Sequence, residues 1–253
     1  MAPSLDCSSD KGSMTSPMED RMMLKFLSRP VFFVSMTILT GSMAGAHSMT
    51  PKIPINQDVR EAHAKELLGK EYEGSVVQDA GSYKNLHRDL FVEVQNRLPQ
   101  RFKSHSLSVS HAIIKESTKY GFDPFFLLAV VQTESGFNPL IKGSHGEIGL
   151  MQVKPDTAKW LAKVYDLKYR GPKTLYDPAD NIKFGAAYFN HLRTRFSGFA
   201  SKYVSAYNMG AAKVRRMYAQ ERKPKDYSIR VMKNYQATYS EILESKMPRT
   251  VTD

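Results

Sequence analysis

Asp123-Pro124-Phe125-Phe126-Leu127-Leu128-Ala129-Val130-Val131-Gln132-Thr133-Glu134-Ser135-Gly136 is the stretch on which the reading of this chain turns. An aspartate followed by proline is a helix start: the side chain can accept from a free backbone N–H, and proline suits the first helical position. Glycine closes the segment. Between these ends the helix is apolar nearly all round, so it predicts burial in a domain core. Its one carboxylate, Glu134, stands at the C-terminal end. There the helix dipole is negative and the apolar surroundings desolvate the group. Both effects disfavour the charged form and predict a raised pKa. A carboxyl held protonated near neutral pH suits a general acid acting on a glycosidic bond. Taken alone, the placement also suits a glutamate that simply reaches solvent past the helix end.

Working outward, helical signals follow one another from Leu107 onward. Ser108 or Ser110 can cap a helix that reaches Tyr120 and stops at Gly121. Lys154-Pro155 opens a helix through Trp160. Asp177-Pro178 opens another, with Ile182, Ala186, Phe189 and Leu192 on one side. Helices are expected at about 199–207 and 211–220. The last, at about 226–245, carries Tyr227, Val231, Tyr235, Tyr239 and Ile242 at helical spacing. Gly143, Gly146 and Gly149 could hold a small hairpin. The expected class is mainly α. Upstream, residues 47–106 read as a partly helical N-terminal extension, with helices near Asp58–Leu68 and Leu86–Leu98.

The segment after Glu134 has the composition of a binding loop. Gly143-Ser144-His145-Gly146 and Gly149 let backbone approach a ligand. Ser144 and Gln152 offer hydrogen-bonding groups suited to hydroxyls and amides. Met151 offers an adaptable apolar wall. Ala206-Tyr207-Asn208 sets an aromatic beside an amide, a reasonable pair for a sugar, although Met151 and Tyr207 also read as ordinary core residues.

Glu134-Ser135, Gly149-Leu150-Met151-Gln152, Ala206-Tyr207-Asn208-Met209-Gly210 and Tyr227, in that order, closely resemble the SLT-type lytic transglycosylase domain. The resemblance covers about 107 to 240. It implies a goose-lysozyme-like helical fold with a substrate groove and no cofactor or metal. It also implies cleavage of the β-1,4 bond between N-acetylmuramic acid and N-acetylglucosamine, leaving a 1,6-anhydromuramic end. By position, Glu134 matches the catalytic glutamate and Ser135 its motif partner. Ser144, Met151, Gln152, Tyr207 and Asn208 fall among the substrate-binding positions. Tyr227 matches the tyrosine near the glutamate. Pro224-Lys225-Asp226 precedes it where many relatives carry Glu-Thr-Arg, so Tyr235 stands as a second candidate. Glu147 stands where many relatives carry alanine. The implied chemistry needs one carboxyl group, because the sugar's own C6 hydroxyl is the nucleophile. A hydrolase on the same fold would need a second carboxylate. Asp156 and Asp177 read as first-turn and capping acids. A peptidoglycan-binding protein without turnover is the third reading.

The rest of the chain bounds the setting. It has 253 residues, a net charge of +11 and a single cysteine, Cys7. No disulfide or Cys-rich zinc site can form within one chain, and the histidines lack ligand spacing. Lys25 and Arg29, the apolar run Val31–Leu39, and Ala44-Gly45-Ala46 read as a signal peptide over 23–46, cleaved after Ala46. Residues 1–22 are expected to precede the true start, at Met22 or Met23. Cys7 lies ahead of the apolar run, which excludes a lipoprotein anchor there. The expectation is an exported, periplasmic monomer with no stable membrane anchor, with a cell-envelope assembly partner as a candidate. Its domain would span 107–245, with a tail at 246–253. No basic-aromatic module suggests nucleic acid. Lys213, Arg215, Arg216, Arg222, Lys223 and Lys225 could form a basic rim that attracts the carboxylates of the cell wall.

Overall fold

The computed structural model describes residues 55–80, 85–224 and 226–246. The expected signal peptide, the cleavage site and Cys7 lie outside these residues. Ten α-helices occur among the described residues: α1 (Gln57–Leu68), α2 (Val76–Asp79), α3 (Leu86–Arg97), α4 (Ser106–Tyr120), α5 (Pro124–Ser135), α6 (Pro155–Val164), α7 (Pro178–Arg195), α8 (Ala200–Met209), α9 (Ala211–Ala219) and α10 (Asp226–Glu244). Short 3-10 turns at Gly69–Tyr72, Gln100–His105 and Pro172–Tyr176 join them. The class is mainly α, as expected. No described helix is long and apolar enough to cross a membrane.

Helix α5 is the axle. Phe125 to Val131 are all fully buried, so every face of the helix meets protein. Asp123 caps its start by accepting from Phe125 N at 2.9 Å. Gly136 ends it in the left-handed region at φ 54°, a conformation that costs glycine little. Helices α10 and α4 pack against it, and α7 packs on α4. The buried side of α7 carries Ile182, Ala186, Phe189 and Leu192, and that of α10 carries Tyr227, Val231, Tyr235, Tyr239 and Ile242.

One local expectation changes. Ser108 and Ser110 do not cap α4, which begins at Ser106. Their hydroxyls instead donate back to the carbonyls of His105 and Leu107 within the first turn. The helix starts earlier because the 3-10 turn Gln100–His105 runs straight into it, leaving no extended residue for a cap. The expected helices of the N-terminal extension are present, and they share the core of the rest. Leu67, Leu68, Leu90 and Val94 belong to the same buried cluster as α5.

A buried polar knot explains that sharing. Arg60 on α1 is 1% exposed. It donates to the Tyr239 hydroxyl at 2.8 Å and lies 3.7 Å from Asp123 Oδ2. Tyr235 and Tyr239 donate to the same oxygen at 2.6 and 2.7 Å. Burial raises the Asp123 pKa, while Arg60 and the two tyrosines oppose that rise. His63 accepts from Asp123 N at 3.0 Å and meets the Tyr203 hydroxyl at 3.2 Å. A buried charge needs this degree of pairing. The first turn of α5 is thereby tied to α1, α8 and α10 together.

Candidate active site

Glu134 occupies the other end of α5. It opens onto a groove of about 530 Å³ lined by Ser144, Glu147, Gln152, Lys154, Tyr207 and Asn208 among others. A second groove, about 570 Å³, lies between α1, α8 and α10. Its walls are largely apolar, with Leu67, Leu68, Val204, Ile229 and Met232, and Glu71 is the one acidic residue lining it.

Burial raises the Glu134 pKa from 4.5 to about 7. Two groups oppose the shift: the Tyr227 hydroxyl, which donates to Glu134 Oε1 at 2.5 Å, and the Arg230 guanidinium. Glu147 adds to it through like charge. The predicted direction for Glu134 therefore appears in the structure, with desolvation as its main cause. Glu147 itself is held below the usual carboxylate range. Its partial burial works against its charge, but backbone N–H groups, including that of His145 at 3.0 Å, and the Lys154 ammonium at 3.3 Å outweigh it. The groove thus holds two carboxyl groups whose environments push their pKa values apart.

The wall facing Glu134 is a tight turn pinned by two short antiparallel bridges, Lys142 with Ile148 and Ile148 with Val153. Asn181 on α7 holds this turn from behind. Its side chain accepts from Met151 N at 2.7 Å and donates to the carbonyls of Ile148 and Leu175 at 2.8 Å each. Gly149, at φ 81°, leaves the space that amide needs, because a Cβ there would collide with Asn181 and with the Leu175 carbonyl. Gln152 sits at φ 47°, strained for a residue with a side chain. Its amide donates to the carbonyls of Ile141 and Gly149 at 3.1 and 2.9 Å.

The candidates named from the sequence divide. Glu134, Ser144, Gln152, Tyr207 and Asn208 line the groove together, and Tyr227 is bonded to Glu134. Tyr207 is fixed on one face by Phe189, stacked at 3.9 Å with a 6° tilt, and its hydroxyl donates to the Met151 carbonyl at 2.8 Å. Three candidates do not face the groove. Ser135 is buried, and its hydroxyl donates to the Val131 and Leu150 carbonyls, tying the helix end to the loop. The Met151 side chain is fully buried against Gly185 of α7, where a Cβ would strike its sulfur. Tyr235 lies more than two turns beyond Tyr227 and serves the Asp123 knot at the far end of α5. Of the proposed basic rim, Arg215 stacks over Phe196 at 5.7 Å and lines a small separate groove. Lys225 is outside the described residues.

The sequence reading missed Asn181, Lys154, Thr157, Tyr188 and Arg230. Thr157 and Tyr188 line the groove, and Arg230 lies 5.9 Å from the Tyr227 ring. The helical spacing of Tyr227 and Arg230, three residues apart on one face, was the available signal for that pair.

Residues 111–229 match the family described as Transglycosylase SLT domain. Among curated relatives, membrane-bound lytic murein transglycosylase C of Haemophilus influenzae is 38% identical over 131 residues, covering 47% of this chain and 36% of that one. The protein of the same description from Histophilus somni is 31% identical over 182 residues, covering 60% of this chain and 49% of that one. The matched stretch therefore spans half or less of these relatives' own length. Among solved structures, an inactive variant of the lytic transglycosylase Slt from Pseudomonas aeruginosa aligns over 77% of this chain and 38% of its own. Its TM-score is 0.49 and its identity 20%.

Proposed function

We propose that the chain is a lytic transglycosylase of peptidoglycan, with Glu134 as its acid and then its base. The observation that carries this reading is a single buried carboxyl, poised at about pH 7 and opening onto a polar groove. At neutral pH a large fraction of Glu134 keeps its proton. It gives that proton to the glycosidic oxygen as the C1–O bond breaks and positive charge develops at C1. Glu134, now a carboxylate, takes the proton of the C6 hydroxyl, and O6 closes onto C1. The Tyr227 hydroxyl stabilises the carboxylate between these two steps. Ser144, Gln152, Tyr207 and Asn208 are the substrate-binding candidates along the groove. Activity on murein implies export, in line with the signal peptide read over residues 23–46, and a basic surface that aids encounter with an anionic wall.

Glu147 supports a second reading. It lines the same groove and stays ionised, so a hydrolase could use it to activate water. Mass spectrometry of the soluble products from purified sacculi separates the two. Residues 47–253 should release anhydromuropeptides, and the Glu134→Gln variant none. Reducing-end muropeptides that vanish in Glu147→Gln would establish the hydrolase instead. Absence of products from either protein would favour a binding module.

A further inference from the structure

We infer that Trp160 and His191 form an aromatic platform that extends the groove by one saccharide beyond its enclosed part. The inference rests on the glycan reading above. Trp160 is the only tryptophan in the chain. It is 39% exposed, although its neighbours Ala158 and Leu161 on α6 are fully buried. Its ring meets His191 of α7 at 4.7 Å between centroids and 79° between planes. That contact occupies at most one face of the indole.

The place of the pair argues for a ligand. Thr157 on α6 and Tyr188 on α7 line the groove that Glu134 opens onto. Trp160 and His191 stand three residues further along the same two helices. Residues three apart share a helix face. Three residues advance about 4.5 Å along a helix axis, roughly the step from one sugar ring to the next. The two helices pack together, so the row Thr157–Tyr188 continues directly into the row Trp160–His191. Burial and the nearby Arg195 lower the His191 pKa, which keeps its ring neutral at pH 7. An exposed indole beside a neutral imidazole, continuous with a polar groove, suits the apolar face of a pyranose ring. A flat aromatic with one free face can carry an uncharged sugar without the ion pairing that a peptide stem would call for.

The lone indole also makes the test direct. In full-length Glu134→Gln protein, which does not turn the probe over, tryptophan fluorescence is titrated with chito-oligosaccharides from dimer to hexamer. Affinities are measured alongside by calorimetry. The expected result is a saturable spectral shift with the longer oligomers only. In the Trp160→Ala background the longer oligomers should bind roughly fivefold more weakly, close to the short ones. Trp160→Phe should keep most of the length advantage, and melting curves would show all three proteins folded. Length dependence unchanged in Trp160→Ala, together with no spectral response in the Glu134→Gln protein that keeps Trp160, overturns the platform even if sacculi are still cleaved. A spectral response to free stem peptide and not to glycan overturns it as well. Length-dependent shifts in a protein whose wild type yields no anhydromuropeptides would sustain the platform and defeat the activity reading instead.

Discussion

Replacing Glu134 by glutamine should stabilise the protein, and only above about pH 5. The folded state raises this carboxyl from 4.5 to about 7. Below pH 4 it is protonated in both the folded and the unfolded chain, so the fold carries no penalty. Between pH 4.5 and 7 the unfolded chain gives up the proton while the folded chain keeps it. The unfolded state then binds fewer protons, and stability falls as pH rises. Above pH 7 both states are ionised and the loss is complete. A shift of about 2.5 units at 1.36 kcal/mol per unit is about 3 kcal/mol. Glutamine carries no such penalty, and its carbonyl can still accept from Tyr227. Thermal unfolding of both proteins, followed by circular dichroism from pH 4 to 9 at constant ionic strength, reads the difference. The two midpoints should nearly coincide at pH 4, separate as pH rises, and differ by roughly 5–10 °C at pH 8. A gap that does not change with pH would falsify the claim that desolvation of the charged form dominates at Glu134. A variant less stable at pH 8 would mean that the carboxylate is net stabilised where it sits.

Tyr227→Phe removes a hydroxyl that donates to the carboxylate, so the Glu134 pKa should rise further. The basic limb of the kcat/KM profile against pH should move up by about one unit, and a downward move would refute the assignment. Gly185→Ala should cost about 1–3 kcal/mol by denaturant titration, because its Cβ meets the Met151 side chain. Adding Met151→Ala should recover part of that loss, and strict additivity of the two changes would show that they do not touch. Asp123→Ala leaves Arg60 buried and unpaired, and should cost about 3–5 kcal/mol. Truncation to residues 107–253 deletes Arg60 and should leave a chain without a cooperative melt, whereas a well-folded truncate would refute a structural role for α1.

How much of this was legible in the sequence follows the range of each cause. Helix starts set by a residue and its neighbour were readable: Asp123-Pro124, Lys154-Pro155 and Asp177-Pro178 each open a helix. The apolar run of α5 and the displaced acid at its end carried both the core and the candidate acid. What the motifs left open was direction. Ser135 and Met151 sit inside motifs that read as substrate-facing, yet one hydroxyl ties two backbone segments and the other side chain fills a gap left by Gly185. A motif records that a residue type is needed without recording which way it points. Asn181 and Arg60 were invisible for a different reason. The partners that fix their roles lie far off in the chain, Met151 and Ile148 for Asn181 and Tyr239 for Arg60, and no local pattern marks a long-range hydrogen bond. For the same reason the role of the extension read over residues 47–106 stayed open in the sequence, whereas in the fold Leu67, Leu68, Leu90 and Val94 join the core.

From Phe125 to Val131 helix α5 has no solvent face, and that limits how such an acid can drift over evolutionary time. On an ordinary amphipathic helix, acidity can be adjusted by exchanging surface charges one turn away. Here every residue from Phe125 to Val131 is enclosed, and a charge introduced there would cost the fold before it altered the chemistry. The working pH of the carboxyl must therefore be set from elements that approach it from outside: Tyr227 and Arg230 on α10, and Glu147 on the turn opposite. Lineages adapting to more acidic or more alkaline surroundings would be expected to vary at these positions while the helix that carries the acid stays fixed.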